Sequence, residues 1–166
     1  MKIILKQWEE QDKTRLMELC NQVDRTYLSG GLPYPYTLDD ANWWLNHVKE
    51  HEGKDAIFRA IVVDNEIVGM ISIEQKSDVF KKDGKIGYCL QNESWSKGIM
   101  SEAVKQICKI AFVALDIVRI SGEVFSMNLA SRKVLEKNQF QLEGILKKAL
   151  IKEDQLYDLC IYALLK

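Results

Sequence analysis

The chain has 166 residues, 47% of them apolar, and its 23 basic and 24 acidic side chains leave a formal charge of −1. That composition predicts one core-forming domain over 1–166 and sets aside a general nucleic-acid binder, which would be more basic. No stretch has the length and apolarity of a membrane span, the run in MKIILKQW is too short for a secretory signal, and Cys20, Cys89, Cys108 and Cys160 form no Cys-x-x-Cys pair, so a cytoplasmic protein off the membrane is expected.

In chain order, Ile3, Ile4 and Leu5 read as a short strand. Residues 14–23 have helical spacing through Leu16, Leu19, Cys20 and Val23. YLSGGLPYPYT holds both prolines and two adjacent glycines and reads as a loop. Thr37 and Asp40 form a capping-box signature before LDDANWWLNHVKE. In that helix His47 and His51 lie four apart, but no third ligand accompanies them, so no metal site is expected. Strands follow at 57–63 and 67–73, with Asp64-Asn65 as a tight hairpin turn. Asp83-Gly84 reads as a second turn, leading into the alternating KIGYCL. Residues 101–118 have helical spacing, RISGEVF is a strand, and NLASRKVLEKN is a helix with Asn128 as candidate cap. Two strands, 142–151 and 156–165, end the chain. The order β-α-α-β-β-β-α-β-α-β-β predicts an α/β (α+β mixed) sheet with helices on its faces.

ESWSKGIMSEA, residues 93–103, carries the chemistry. The first amides of a helix lack intrahelical partners and sit at the positive end of its dipole, which suits a phosphate. Gly98 permits close approach, Lys97 adds a cation, and Ser96 and Ser101 add hydroxyls. Neither the P-loop spacing nor Gly-x-Gly-x-x-Gly is present, so the stretch alone also reads as an ordinary helix start.

The wider segment IGYCL…ESWSKGIMSEAVKQICKIAF resembles the acetyl-CoA-binding motif of the GNAT superfamily of N-acetyltransferases, in the branch that includes ribosomal-protein N-terminal acetyltransferases. EVFSMNLASRKVLEKNQFQLEG is similar to the next block of that family, a strand, an Asn-x-x-Ser helix and a Gly-Phe-x-x-Glu-Gly segment. LPYPYTLDDANWWL and YDLCIYALL resemble the same branch, so the likeness runs through most of the chain. Two residues depart from the pattern. Met100 stands where the family has a small residue, either crowding the ligand or turning inward, and Asn138 is read at the glycine position, where positive φ is wanted.

The resemblance implies a mostly antiparallel mixed sheet with a splayed central strand pair, and acetyl-CoA as cofactor. Its phosphates are expected against Trp95, Ser96, Lys97, Gly98, Ile99, Met100 and Ser101, and its pantetheine arm along Cys89, Leu90 and Gln91 by strand addition. Asn128, Ser131 and Lys137 complete the expected cofactor contacts. The reaction is attack by a neutral amine on a thioester, which needs a base, a donor to the oxyanion and a proton for the thiolate. An amide near Leu90 or Gln91 is the candidate donor and Glu123 the candidate base. Ser131 and Tyr157, with Tyr88 as a substitute, are the candidate acids, because Val134-Leu135-Glu136 lacks the helix tyrosine that many members carry. Tyr34, Tyr36 and Trp43 are expected to line the mouth for a small-molecule or peptide amine: a protein N-terminus, a polyamine or an aminoglycoside-like compound. A homodimer through sheet edges fits the family, though no residue specifies one. The rival reading is a non-catalytic acyl-CoA-binding or sensory module of the same fold.

Overall fold

The computed structural model, which describes Met1–Lys166, runs β1 (Ile3–Lys6), α1 (Lys13–Gln22), α2 (Leu38–His51), β2 (Ala56–Val63), β3 (Glu66–Gln75), β4 (Asp83–Leu90), α3 (Ile99–Ala114), β5 (Arg119–Phe125), α4 (Leu129–Lys137), β6 (Gln141–Lys152) and β7 (Gln155–Leu165). Local chemistry sets the boundaries. At the start of α2, Asp40 N–H donates to Thr37 Oγ1 (3.2 Å) and Thr37 N–H donates to Asp40 Oδ2 (2.8 Å), a reciprocal cap. Asp64 and Asn65 both take positive φ (50° and 67°), as a two-residue hairpin requires; Glu153 and Asp154 repeat this between β6 and β7.

Two boundaries differ from the sequence reading. Asp83-Gly84 is not a turn but the opening of β4. A Cβ at Gly84 would stand 2.7 Å from Ile73 Cγ2 and 3.1 Å from Ile117 Cδ1, so glycine serves close packing there. Helix α3 begins at Ile99 and stops at Ala114, because Leu115 and Ile117 are both buried and a two-residue spacing demands extended chain.

The seven strands lie in the order β1-β2-β3-β4-β5-β7-β6, all pairs antiparallel except β4 with β5. Helix α3 packs Val104 and Ile107 onto one face with Ile57, Ile73, Ile86 and Ile120; α1 and α2 cover the other face, setting Leu16, Leu19 and Leu45 in one cluster with Phe58 of β2. No helix is long and apolar enough to cross a membrane.

The parallel β4–β5 ladder runs only from Asp83↔Arg119 to Lys85↔Ser121, after which the strands diverge. Buried Asp83 pins the base of this V. Its Oδ2 accepts from Lys76 Nζ (2.7 Å) and Ser121 Oγ (3.0 Å) and lies 3.3 Å from Arg119 Nε, while Arg119 also forks onto Glu143 (2.9 and 2.5 Å).

Candidate active site

The loop from β4 to α3 is folded by its own backbone. Ser96 and Gly98 both have positive φ, 60° and 77°, so successive amides curl toward one side. Within the protein the N–H groups of residues 96–101 have no acceptor; the first bond of α3 is Glu102 N–H to Gly98 O (3.2 Å). A Cβ at Gly98 would meet nothing within 4 Å, so the space in front of these amides is open. Trp95 folds the loop back by donating its indole N–H to Leu90 O (2.9 Å). Ile99 and Met100 point the other way. Met100 is 8% exposed and joins the α3-side core, so it does not crowd the open side. Lys97 and Lys137 are exposed. The donor set therefore fits an anionic diphosphate: a run of amides, a helix start and a mobile cation, with no carboxylate hydrogen-bonded into the curl.

Along β4, pairing decides which backbone groups remain available. Gln91 N–H donates to Val68 O (2.9 Å), so that amide faces β3, and alternation turns the backbone of Cys89 the same way. The expected use of Gln91 and Cys89 edge groups is thereby corrected: Tyr88 and Leu90 face the opening toward β5, and the Leu90 carbonyl is already engaged by Trp95. Of the two candidate oxyanion donors, only the Leu90 N–H points into the V. Burial pushes the Cys89 thiol up to about 12, which fits an inert thiol and no acyl-cysteine.

Across the V, α4 starts at Asn128, whose Oδ1 accepts from Ser131 N–H (3.1 Å) while its amide nitrogen makes no hydrogen bond. Ser131 Oγ lies 2.7 Å from the Tyr88 hydroxyl, joining β4 to α4 where the sheet has no ladder. Burial pushes the Tyr88 phenol up to about 12, so it stays a neutral donor. Tyr157 is not at this point. Its hydroxyl donates to Gln155 (3.1 Å) and its ring packs on Phe125, because its register carries it toward the β6–β7 turn. The residue at positive φ after α4 is Gln139 (66°), not Asn138 (−96°); Asn138 instead donates to Ser101 O (3.0 Å), fastening α4 to the first turn of α3.

On the other face, a pocket of about 160 Å³ lies between the loop at Leu28, Ser29 and Leu32 and the strands at Met70, Ser72, Gly87 and Cys89. The expected aromatic lining is corrected here. Tyr36 is 5% exposed and belongs to the α1–α2 core. Trp43 is 68% exposed and stacks on His47 on the outer side of α2. Tyr34 is exposed and sits under the Arg25 guanidinium (4.9 Å). None of the three lines the pocket. Leu28, Leu32, Met70 and Ser72 were not singled out in the sequence; isolated small and aliphatic residues carry no motif. Glu123 is on the pocket side of β5, as alternation with Ser121 requires, and it is paired with Lys85 Nζ at 2.5 Å.

Comparison with known proteins fits this geometry. Residues 2–141 match the Acetyltransferase (GNAT) domain family. The probable N-acetyltransferase YjcK of Bacillus subtilis is 38% identical over 118 residues, 68% of this chain and 64% of that protein. The putative ribosomal N-acetyltransferase YdaF of B. subtilis is 27% identical over 99% of this chain and 91% of its own. The chain matches over only 56%, 64% and 65% of the length of three Bacillus relatives. Among solved structures, RimL, a ribosomal L7/L12 alpha-N-protein acetyltransferase in complex with coenzyme A, superposes with a TM-score of 0.85 at 22% identity, over 99% of this chain and 94% of that one.

Proposed function

The chain belongs to the GNAT acetyltransferase family, and from that premise we propose that it transfers an acetyl group from acetyl-CoA to the primary amine of a peptide or protein N-terminus. The observation that carries the cofactor half is the run of amides over residues 96–101 without internal acceptors, next to a strand edge left free by the divergence of β4 from β5. Those amides and Lys97 would hold the diphosphate, with Lys137 as a further cation. The free edge at Tyr88 would pair with the pantetheine arm, and the unused amide of Asn128 would meet it near its reactive end. Bound acetyl-CoA supplies a thioester-activated acetyl group.

The remaining roles fall to side chains and one amide. Leu90 N–H is the donor aimed at the opening. Tyr88 and Ser131, 2.7 Å apart, form the proton-donating pair. Glu123, held by Lys85, is the base that takes the proton of the entering ammonium.

The acceptor assignment rests on the chemistry of the pocket wall. It is lined by Leu28, Leu32, Met70 and Ile71 with the hydroxyls of Ser29 and Ser72, and by no carboxylate. Glu74, two residues along β3 from Ser72, has no lysine or arginine partner and is one free acid beside it, while Glu123 on β5 is paired with Lys85 and serves a single incoming ammonium. A polyamine or aminoglycoside carries several charges and needs several free acids. A peptide N-terminus brings one charge on a neutral chain, which this wall accommodates. Several relatives' names point the same way, including the Ribosomal-protein-serine acetyltransferase of Escherichia coli, 26% identical. The test is free-thiol release with acetyl-CoA and a panel of amines. Peptides with a small neutral first residue are expected to turn over well above spermidine or kanamycin. Preference for the polycations, or tight cofactor binding without turnover on any amine, overturns the acceptor assignment.

A further inference from the structure

The loop that walls the pocket, residues 24–36, gains little from its own backbone ladder and is instead gripped by two cations. Arg25 bonds to Cys20 O (2.6 Å), Leu32 O (2.8 Å) and Pro33 O (2.9 Å), all from the same stretch of chain. The second cation comes from far away. Lys152, at the last position of β6 beside the hairpin turn, donates its ammonium to the carbonyls of Arg25, Thr26 (3.1 Å) and Leu28 (2.8 Å). A lysine has three donors, and here each meets a backbone carbonyl, with no acid within ion-pair distance although the Asp24 carboxylate lies near enough to feel the charge. The side chain is half-buried. Between the two gripped points Tyr27 packs on Phe125 (centroids 5.6 Å), two residues along β5 from Glu123.

We propose that Lys152 is a positioning residue for the acceptor: it fixes the loop so that Leu28 and Leu32 close one side of the pocket. This rests on the reading of that pocket as the acceptor's. Without the ammonium, three carbonyls turn to water and the wall loses its register over β3 and β4. The phosphate-binding amides are at the start of α3, on a separate loop, so the cofactor side is unaffected. The device thus acts on the acceptor side and leaves the phosphate-binding loop alone, which separates it from a general stabilising contact.

The test compares Lys152→Met, which keeps the stem and removes the donors, with Lys152→Arg, which keeps a cation. For Lys152→Met the acceptor-peptide KM rises about tenfold or more, with kcat within about threefold and coenzyme A affinity by calorimetry within about twofold. Hydrogen exchange at residues 24–33 speeds up while residues 96–101 do not change, and Lys152→Arg recovers at least part of both effects. Unchanged exchange and KM in Lys152→Met overturn the proposal, as does a joint loss of kcat and coenzyme A binding. If wild type acetylates no peptide while exchange at 24–33 still responds to Lys152→Met, the grip is real but the acceptor reading fails, and the proposed role falls with it.

Discussion

The two ends of the site are built by opposite means. The proposed cofactor end, residues 96–101, is backbone: two residues at positive φ and a helix start leave consecutive amides open, and side-chain identity enters mainly through Gly98 and the inward Met100. The proposed acceptor end is side chains gathered from the early loop, β3, β4 and the tip of the last hairpin. A backbone site is local and insensitive to most substitutions; a gathered site depends on residues far apart in the chain and changes with any of them.

The contrast can be broken by substitution. The largest effect is expected for Gly98→Glu, which fills the open space before the amides with a carboxylate. Affinity for coenzyme A should fall by about a hundredfold or more by calorimetry. The penalty for a side chain at φ 77° is only about 1 kcal/mol, or about 2–4 °C in melting temperature. Equal damage to both would reduce the loop to an ordinary helix start.

Next comes Tyr88→Phe, which cuts the link to Ser131 at the meeting point of the two ends. kcat should drop by about tenfold to a hundredfold with coenzyme A affinity kept. Its pH signature has a definite sign. The folded phenol's pKa is raised, to about 12, above that of an unfolded tyrosine, so its contribution is complete below about pH 10 and lost as pH climbs toward 12. Urea melts at pH 9 and 11 should therefore show the gap between wild type and Tyr88→Phe narrowing with pH; a constant gap would contradict the burial of the hydroxyl. The smallest effect is expected for Trp43→Ala, whose ring stacks on His47 outside the pocket: KM and kcat should stay within about twofold. A larger rise in KM would return that helix face to the acceptor site.

The same contrast explains what the sequence revealed. Element order, the Thr37 cap, the Asp64-Asn65 turn and the loop before α3 are legible because each depends on neighbours within a few residues. Asp83-Gly84 carries a strong turn signal in sequence, while the physical need at Gly84 is room for Ile73 and Ile117, brought from 11 and 33 positions away. Tyr36 and Trp43 look like lining residues in sequence because aromatic residues near a loop look alike there, whether they enter a core or cover a helix. Tyr88 was only a substitute for Tyr157, since nothing short of the β4–α4 juxtaposition shows which hydroxyl reaches Ser131. Lys152 has no local signature at all; its partners lie 124 to 127 residues earlier.

The knot of charge around Asp83 bears on how a site of this kind can adapt. With Lys76, Ser121 and Arg119 converging on one buried carboxylate, the fork between β4 and β5 has a riveted heel, and prying it wider would pull that carboxylate away from Ser121 and Arg119. One jaw is therefore stationary. Any accommodation to a bulkier or slimmer guest falls to the opposite jaw, where the loop is held by side-chain contacts to its backbone carbonyls.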